Sequence, residues 1–274
     1  MRIHKLRLGR YASVLVFGIL LAFPLIYLVS GSLMTRGEIA QNPPPLFPAT
    51  PIWSNFGEAM DYLNPRSILN SFIFVIGVLV LQLAICLPAG FALAKIPFRW
   101  SAVVIGIFLV PIFLPTNLIL IPTYVVTYKL GLVNTFAGLI LPIAGQASVG
   151  VILFRQFFAG LPNGLMEAAR IDGASWFQTF TRIALPLARP IVASYSVITF
   201  LTAWNLYIWP LIAGSGDDTK VLTVALAPLA QGQYSLISPS VTFAAAVITM
   251  LPVLAVFIAF QKWFTKGIVG TGLE

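Results

Sequence analysis

Sulfur and imidazole are almost missing from this chain: its 274 residues include one cysteine, Cys86, and one histidine, His4. A single cysteine excludes an internal disulfide, and one histidine is too few for a clustered metal site or a histidine-based triad built within the chain. Acids are scarce as well. Glu38, Glu58, Asp61, Glu167, Asp172, Asp217, Asp218 and Glu274 are all there are, and every one falls outside the long apolar runs. A carrier driven by protons or sodium needs ionisable groups, or an arrangement of carbonyls, near the membrane midplane. Energy for any transport is therefore expected from another source. There is no glycine loop ending in Gly-Lys-Ser or Gly-Lys-Thr, no His-Glu-x-x-His and no pair of intramembrane aspartates. An ATP site of its own and an intramembrane hydrolase are thereby set aside, and no cofactor is expected on this chain.

What is present in excess is apolar surface. Apolar residues make up 59% of the chain, charged residues 9%, and the mean hydropathy is +0.95, whereas a soluble domain carries about 25% charged residues. A bilayer core of about 30 Å is crossed by roughly 20 apolar residues in a helix. Six runs satisfy that length, at approximately 11–33, 68–94, 101–122, 136–154, 190–213 and 239–260. They predict an all-α integral membrane protein, a six-helix bundle forming a single domain over 1–274. The first run is longer than a signal-peptide core of about 7–15 residues, so it reads as a retained helix. Each run contains proline: Pro24, Pro88, Pro111 with Pro115, Pro142, Pro210 and Pro252. Kinks of this kind persist in lipid where a neighbour re-satisfies the freed carbonyl.

Orientation follows from the basic residues, which accumulate on the cytoplasmic side. With the N terminus inside, Arg2, Lys5, Arg7, Arg10, Lys95, Arg99, Arg155, Arg170, Arg182, Arg189, Lys262 and Lys266 are cytoplasmic. Arg36, Arg66, Lys129 and Lys220 are outside; twelve against four accounts for all 16. Both termini are expected in the cytoplasm of a multi-pass protein of the cell membrane. The net charge of +8 is explained by this clustering at helix ends, so no nucleic-acid partner is implied.

The cytoplasmic connection at 160–186 has its own pattern. Pro162 and Asn163 are a helix start signal, with Leu165, Met166, Ala168 and Ala169 supplying a short apolar face. Gly173 permits a sharp break. Ser175 is an N-cap candidate for a second short helix, which is expected to stop at Pro186. The two helices would protrude as a compact knob whose apolar residues Met166, Trp176 and Phe180 are expected to be exposed and to need a partner.

Within this connection Glu167-Ala168-Ala169 is followed after three residues by Gly173 and after nine more by Ile183, Leu185 and Pro186. This spacing resembles the signature loop of permease subunits of binding-protein-dependent ABC importers. The resemblance implies that Glu167, Ala168, Ala169, Asp172, Gly173, Ile183, Leu185 and Pro186 form the ATPase-coupling segment, with Glu167 pairing with a basic group of the ATPase and Asp172 and Gly173 setting the turn. Further stretches are similar to the carbohydrate branch related to the maltose system: 89–98, Ile121-Pro122-Thr123-Tyr124, 130–135, 204–211 and the tail from Lys266-Gly267 to Gly272. Leu206 departs from that branch, where a polar or acidic residue is common. The partners implied are a second permease subunit, a different chain; two ATPase subunits holding ATP and magnesium; and an extracytoplasmic solute-binding protein.

A path for a polar solute needs polar groups inside the apolar bundle. Asn70, Gln82, Asn117, Gln146, Tyr195, Thr202, Trp204, Asn205 and Tyr207 are the candidates. Asn117, Gln146, Trp204, Asn205 and Tyr207 are the residues selected for the path, with Trp204 and Asn205 leading, because amides bond sugar hydroxyls and an indole offers a flat apolar face. Hydrogen bonds between helices are an equally physical use of the same residues. Two stretches, 34–65 with the stiff Asn42-Pro43-Pro44-Pro45 and 217–233, form the expected outer surface for the binding protein. The reading is therefore a non-catalytic permease subunit of an ATP-driven importer; the alternative is an autonomous carrier or channel for a small polar solute.

Overall fold

The structure is a computed structural model that describes residues 2–231 and 237–269; Gln233 and the tail motif from 270 to Gly272 lie outside them. It is helical in every regular element. The first apolar run becomes α1 (Arg2–Gly31), which contains Pro24. The stretch that follows, 34–65, holds a one-turn α2 (Arg36–Ile39) and α3 (Ser54–Leu63). The second run is α4 (Pro65–Lys95), continuous through Pro88.

The third run is not one rod. It forms α5 (Ser101–Leu109), a 3₁₀ turn over Val110–Phe113, and α6 (Thr116–Lys129), with a bend of 106° between the halves. Pro111 and Pro115 cannot donate to the helix ladder and bring the chain out of it. The helix after the bend also carries Ile121 to Tyr124 and continues past the end of the expected run at 122 to Lys129. The fourth run divides into α7 (Phe136–Gly145) and α8 (Ser148–Ala159), bent by 47°.

The connection at 160–186 contains α9 (Asn163–Ile171), α10 (Trp176–Thr179), a π-helical turn at Phe180–Ala184 and α11 (Leu185–Leu187). The expected stop at Pro186 comes one residue later, because Pro186 occupies the first turn of α11, where its missing N–H costs nothing. The fifth run is also broken, into α12 (Arg189–Trp204) and α13 (Ile208–Ala213). Pro210 explains this break: its ring opposes the carbonyl of Leu206. That carbonyl instead accepts a 2.9 Å hydrogen bond from the Thr223 hydroxyl. Thr223 lies on α14 (Leu222–Ala230), and the last run is α15 (Pro239–Val269).

Three stretches, Val14–Gly31, Pro65–Lys95 and Pro239–Gln261, are long and apolar enough to cross a membrane unbroken; the bent pairs raise the count to six if each is one span. The pair that includes α12 joins it to the Trp176–Leu187 segment at 74°.

Two compact units divide the chain, one of residues to Pro65 with Ala225–Pro252, the other of Arg66–Val224 with the residues from Val253. In the first, Asn55 Nδ2 donates to the carbonyls of Ser32 (2.9 Å) and Met34 (3.0 Å), tying α3 to the end of α1. In the second, the core gathers Phe91, Phe154, Phe158, Met166 and Tyr195. Here α4 and α8 pack at close range. A Cβ on Gly90 would lie 2.7 Å from Phe154 Cβ, and one on Gly150 would lie 2.4 Å from the Tyr195 hydroxyl. Small residues at such crossings are what lets membrane helices gain van der Waals contact.

Candidate functional site

The coupling segment is built from local signals. Pro162 caps α9 in an extended conformation, and Gly173 turns the chain at φ +81°, a value L side chains resist. The Ala174 N–H closes the turn on the Ala169 carbonyl at 2.9 Å. Ser175 then starts α10 with a full capping box: its hydroxyl accepts from the Gln178 N–H (3.2 Å), and Gln178 Oε1 accepts from the Ser175 N–H (2.8 Å). The Arg170 guanidinium lies 4.6 Å from the centre of the Trp176 ring. The hairpin is thus held closed by backbone, cap and cation–π contacts at once.

Its residues divide into two faces. Glu167, Ala168, Asp172, Gly173 and Pro186 are exposed, whereas Ala169 is buried and Ile183 and Leu185 are half-buried, the latter two against the aromatic core. Three of the eight signature residues are therefore packed and five are displayed. Met166, Trp176 and Phe180 are not exposed as expected. Met166 is 4% accessible, and Trp176 and Phe180 pack on the same core, with Phe91 centred 6.4 and 5.2 Å from them. The apolar side chains on the surface are Leu165, Ile171 and Phe177, the last two 86% and 74% exposed. Periodicity identified an apolar face but not which flank meets the bundle.

The polar residues of the membrane segments also separate. A cavity of about 590 Å³ is lined by Asn117, Gln146, Asn205 and Tyr207 together with Thr123 and Thr202. Four of the five residues selected for the path thus share one space. The lining carries no Lys, Arg, Asp or Glu. Asn205 uses Nδ2 on the Leu201 carbonyl at 2.8 Å. Trp204, the fifth, is 4% accessible and packs in the bundle, 5.1 Å from Phe72 and 5.5 Å from Phe200 between ring centres.

Gln82, Tyr195 and Asn70 are committed elsewhere. Gln82 Nε2 donates to the Ile143 carbonyl (3.1 Å), and its Oε1 accepts from the Tyr195 hydroxyl (2.8 Å). Asn70 Nδ2 donates to the Lys220 carbonyl at 3.0 Å. Ile143 is in the last turn of α7, where carbonyls lose their helical partners. The Ile143 carbonyl accepts from the Gln146 N–H (3.2 Å) as well, so Gln82 is its second donor at the break between α7 and α8.

Beyond the expected residues, Lys95 at the end of α4 donates 2.7 Å hydrogen bonds to the Leu161 carbonyl and to Asn163 Oδ1. A cytoplasmic basic residue near a helix end signals topology, so nothing in the sequence singled it out.

This arrangement has counterparts. A family profile described as binding-protein-dependent transport system inner membrane component matches residues 85–270. The sn-glycerol-3-phosphate transport system permease protein UgpE of Rhizobium meliloti is 32% identical over 266 residues, covering 94% of each chain. UgpE of Agrobacterium fabrum is also 32% identical over 266 residues, with 94% of each chain covered. A chain in the crystal structure of a bacterial ABC transporter involved in the import of the acidic polysaccharide alginate shares the fold, with a TM-score of 0.84 at 24% identity over 95% of this chain and 97% of that one. The profile spans well over half of the sequence and includes both the hairpin and the cavity-lining helices, so this chain belongs to the inner-membrane components of binding-protein-dependent transport systems, as a non-catalytic permease subunit.

Proposed function

We propose that this subunit forms half of the translocation path for a carbohydrate or sugar-derived solute and is driven by a cytoplasmic ATPase docked on the 167–186 hairpin. The cavity carries the solute assignment. Its amides, hydroxyls and phenol are donors and acceptors matched to sugar hydroxyls, set against apolar walls. Relatives named for glycerol 3-phosphate and a like fold in an alginate importer are consistent with that class.

The complex comprises a second permease, a different chain; two ATPase subunits that hold ATP and magnesium; and an extracytoplasmic solute-binding protein on the outer stretches. Both termini face the cytoplasm, as the twelve-to-four distribution of basic residues supports. Closure of the ATPases draws the hairpins together and turns the path from inward-open to outward-open, the hairpin moving as a body because packed interfaces switch rather than deform. Glu167, Ala168, Asp172 and Gly173 are the displayed surface for that contact, with Ile171 and Phe177 as apolar anchors.

The test is uptake into proteoliposomes holding the whole complex and the binding protein. ATP-dependent uptake of a sugar or polyol, lost with Glu167→Ala while the membrane subunits still assemble, is the expected result. Robust uptake by this chain without any ATPase would overturn the reading in favour of an autonomous carrier.

A further inference from the structure

The hairpin must hold the bundle firmly if movement of one is to become movement of the other. Much of their contact is aromatic and aliphatic: Phe91 of α4 packs against Trp176 and Phe180, and Met166 joins the same core. Apolar contacts of this kind have no preferred direction. Hydrogen bonds do have one, and charged ones are short and strong. Lys95 supplies two, each 2.7 Å, to the Leu161 carbonyl and to Asn163 Oδ1. These acceptors flank Pro162, the residue that starts α9 and makes no side-chain cap hydrogen bond. One ammonium thus grips the entry to the coupling hairpin from both sides.

Lys95 is also the last residue of α4, which at 31 residues is about 46 Å long by helical rise. Thirteen residues back along that helix, about 20 Å away, Gln82 bonds the Ile143 carbonyl. Ile143 and Gln146 line the solute cavity. An unbroken helix therefore joins the grip on the hairpin to the end of α7 that shapes the path.

We infer that Lys95 is a positioning residue for energy coupling, the polar clamp through which displacement of the hairpin is transmitted to α4. The inference rests on the proposed ATPase-driven function and adds to it a residue outside the family signature.

The experiment uses the whole complex in proteoliposomes with its binding protein. Assembly, ATP hydrolysis and uptake are measured for wild type, Lys95→Met, Lys95→Arg and Asn163→Ala. Methionine keeps the aliphatic stem and removes the donors. Lys95→Met is expected to assemble and to hydrolyse ATP at no less than about half the wild-type rate, while the ATP spent per solute imported rises about tenfold, the scale set by charged hydrogen bonds. Lys95→Arg, which can reach both acceptors, is expected within about threefold of wild type, and Asn163→Ala to raise the ratio about threefold. An unchanged ratio in Lys95→Met, whether both activities persist or fall together, overturns the clamp. Should Lys95→Met fail to assemble, Asn163→Ala decides alone, and a wild-type ratio there overturns the proposal. A wild-type complex without ATP-dependent uptake would instead be a failure of the proposed function.

Discussion

Gln82 and Gln146 are the same side chain, and both lie beside Ile143 on one cavity of about 230 Å³, yet their bonding and exposure differ. Gln82 is 8% accessible, with its amide nitrogen on one carbonyl and its amide oxygen accepting from Tyr195 at 2.8 Å and Thr199 at 3.4 Å. Gln146, just past the end of α7, is exposed to a cavity that it shares with Asn117, Asn205 and Tyr207. The first is consumed in hydrogen bonds within the bundle; the second faces a cavity, as the proposed path requires. Intramembrane polarity is therefore not one signal. Every proline or bend in an apolar helix frees a carbonyl that some donor has to meet, and Gln82 and Thr223 are such donors. What remains after these repairs are counted is the chemistry left for transport.

The comparison predicts which property each substitution moves first. Gln82→Leu should have the largest effect on stability, since it removes the side-chain donor from the Ile143 carbonyl, which keeps only the Gln146 N–H at 3.2 Å, and the 2.8 Å acceptor from the Tyr195 hydroxyl. The expected loss is roughly 1–3 kcal/mol, read as a fall of several degrees in the thermal midpoint in detergent. A midpoint equal to wild type, with uptake reduced, would reverse the assignment and make Gln82 a solute contact. Gln146→Ala should do the opposite, leaving the midpoint in place and lowering solute uptake about three- to tenfold, the value of one hydrogen bond to a neutral ligand. Thr223→Val is a smaller repair removed. The Leu206 carbonyl loses its side-chain donor, and about 0.5–1 kcal/mol of stability should go with it; a change in solute preference instead of stability would move Thr223 to the transport class.

How far the sequence anticipates this arrangement depends on whether a feature is local. Pro162, Gly173 and Ser175 act on the backbone within a few residues, and the two short helices and the turn between them appear where those residues predict. The six-run pattern is equally legible, because lipid imposes a length and a composition on each pass. Hydropathy, however, reports composition and not path, so the 106° turn after Phe113 and the interruption at 205–207 were not evident as breaks. Trp204 and Asn205 illustrate the limit most directly. Neighbours on a helix diverge by about 100°, so one faces Phe72 and Phe200 while the other reaches the cavity, and they could not both serve as a pair on the solute. Likewise Met166 and Ile171 are both apolar residues of α9, and only the packing of Phe91 and Phe158 decides which one is covered.

A third class of polar residue, half-buried in a segment outside the long apolar helices, should give the smallest effect and so marks the other end of the scale. Glu38 completes a capping box with Thr35 in the outer stretch, accepting from the Thr35 N–H at 2.8 Å, and its second oxygen accepts from the Ala49 N–H at 2.8 Å. These contacts hold its carboxyl below the usual carboxylate range, the Ala49 N–H contributing most and Thr35 next. A depressed folded value means that the carboxylate's contribution is fully present above the unfolded value and is lost as pH falls through the folded one. Water competes for every partner, so the consequence is local order of the 35–49 segment rather than stability of the bundle. Hydrogen exchange at Ala49 should quicken, relative to other outer amides, as pH is lowered from about 7 to about 3, after correction for intrinsic exchange. Glu38→Gln should remove most of that pH dependence and leave the thermal midpoint unchanged. A midpoint that falls with Glu38→Gln as it does with Gln82→Leu would mean that the outer stretch is bound into the membrane core, and the division between repair and availability would then have to extend beyond the cavity walls.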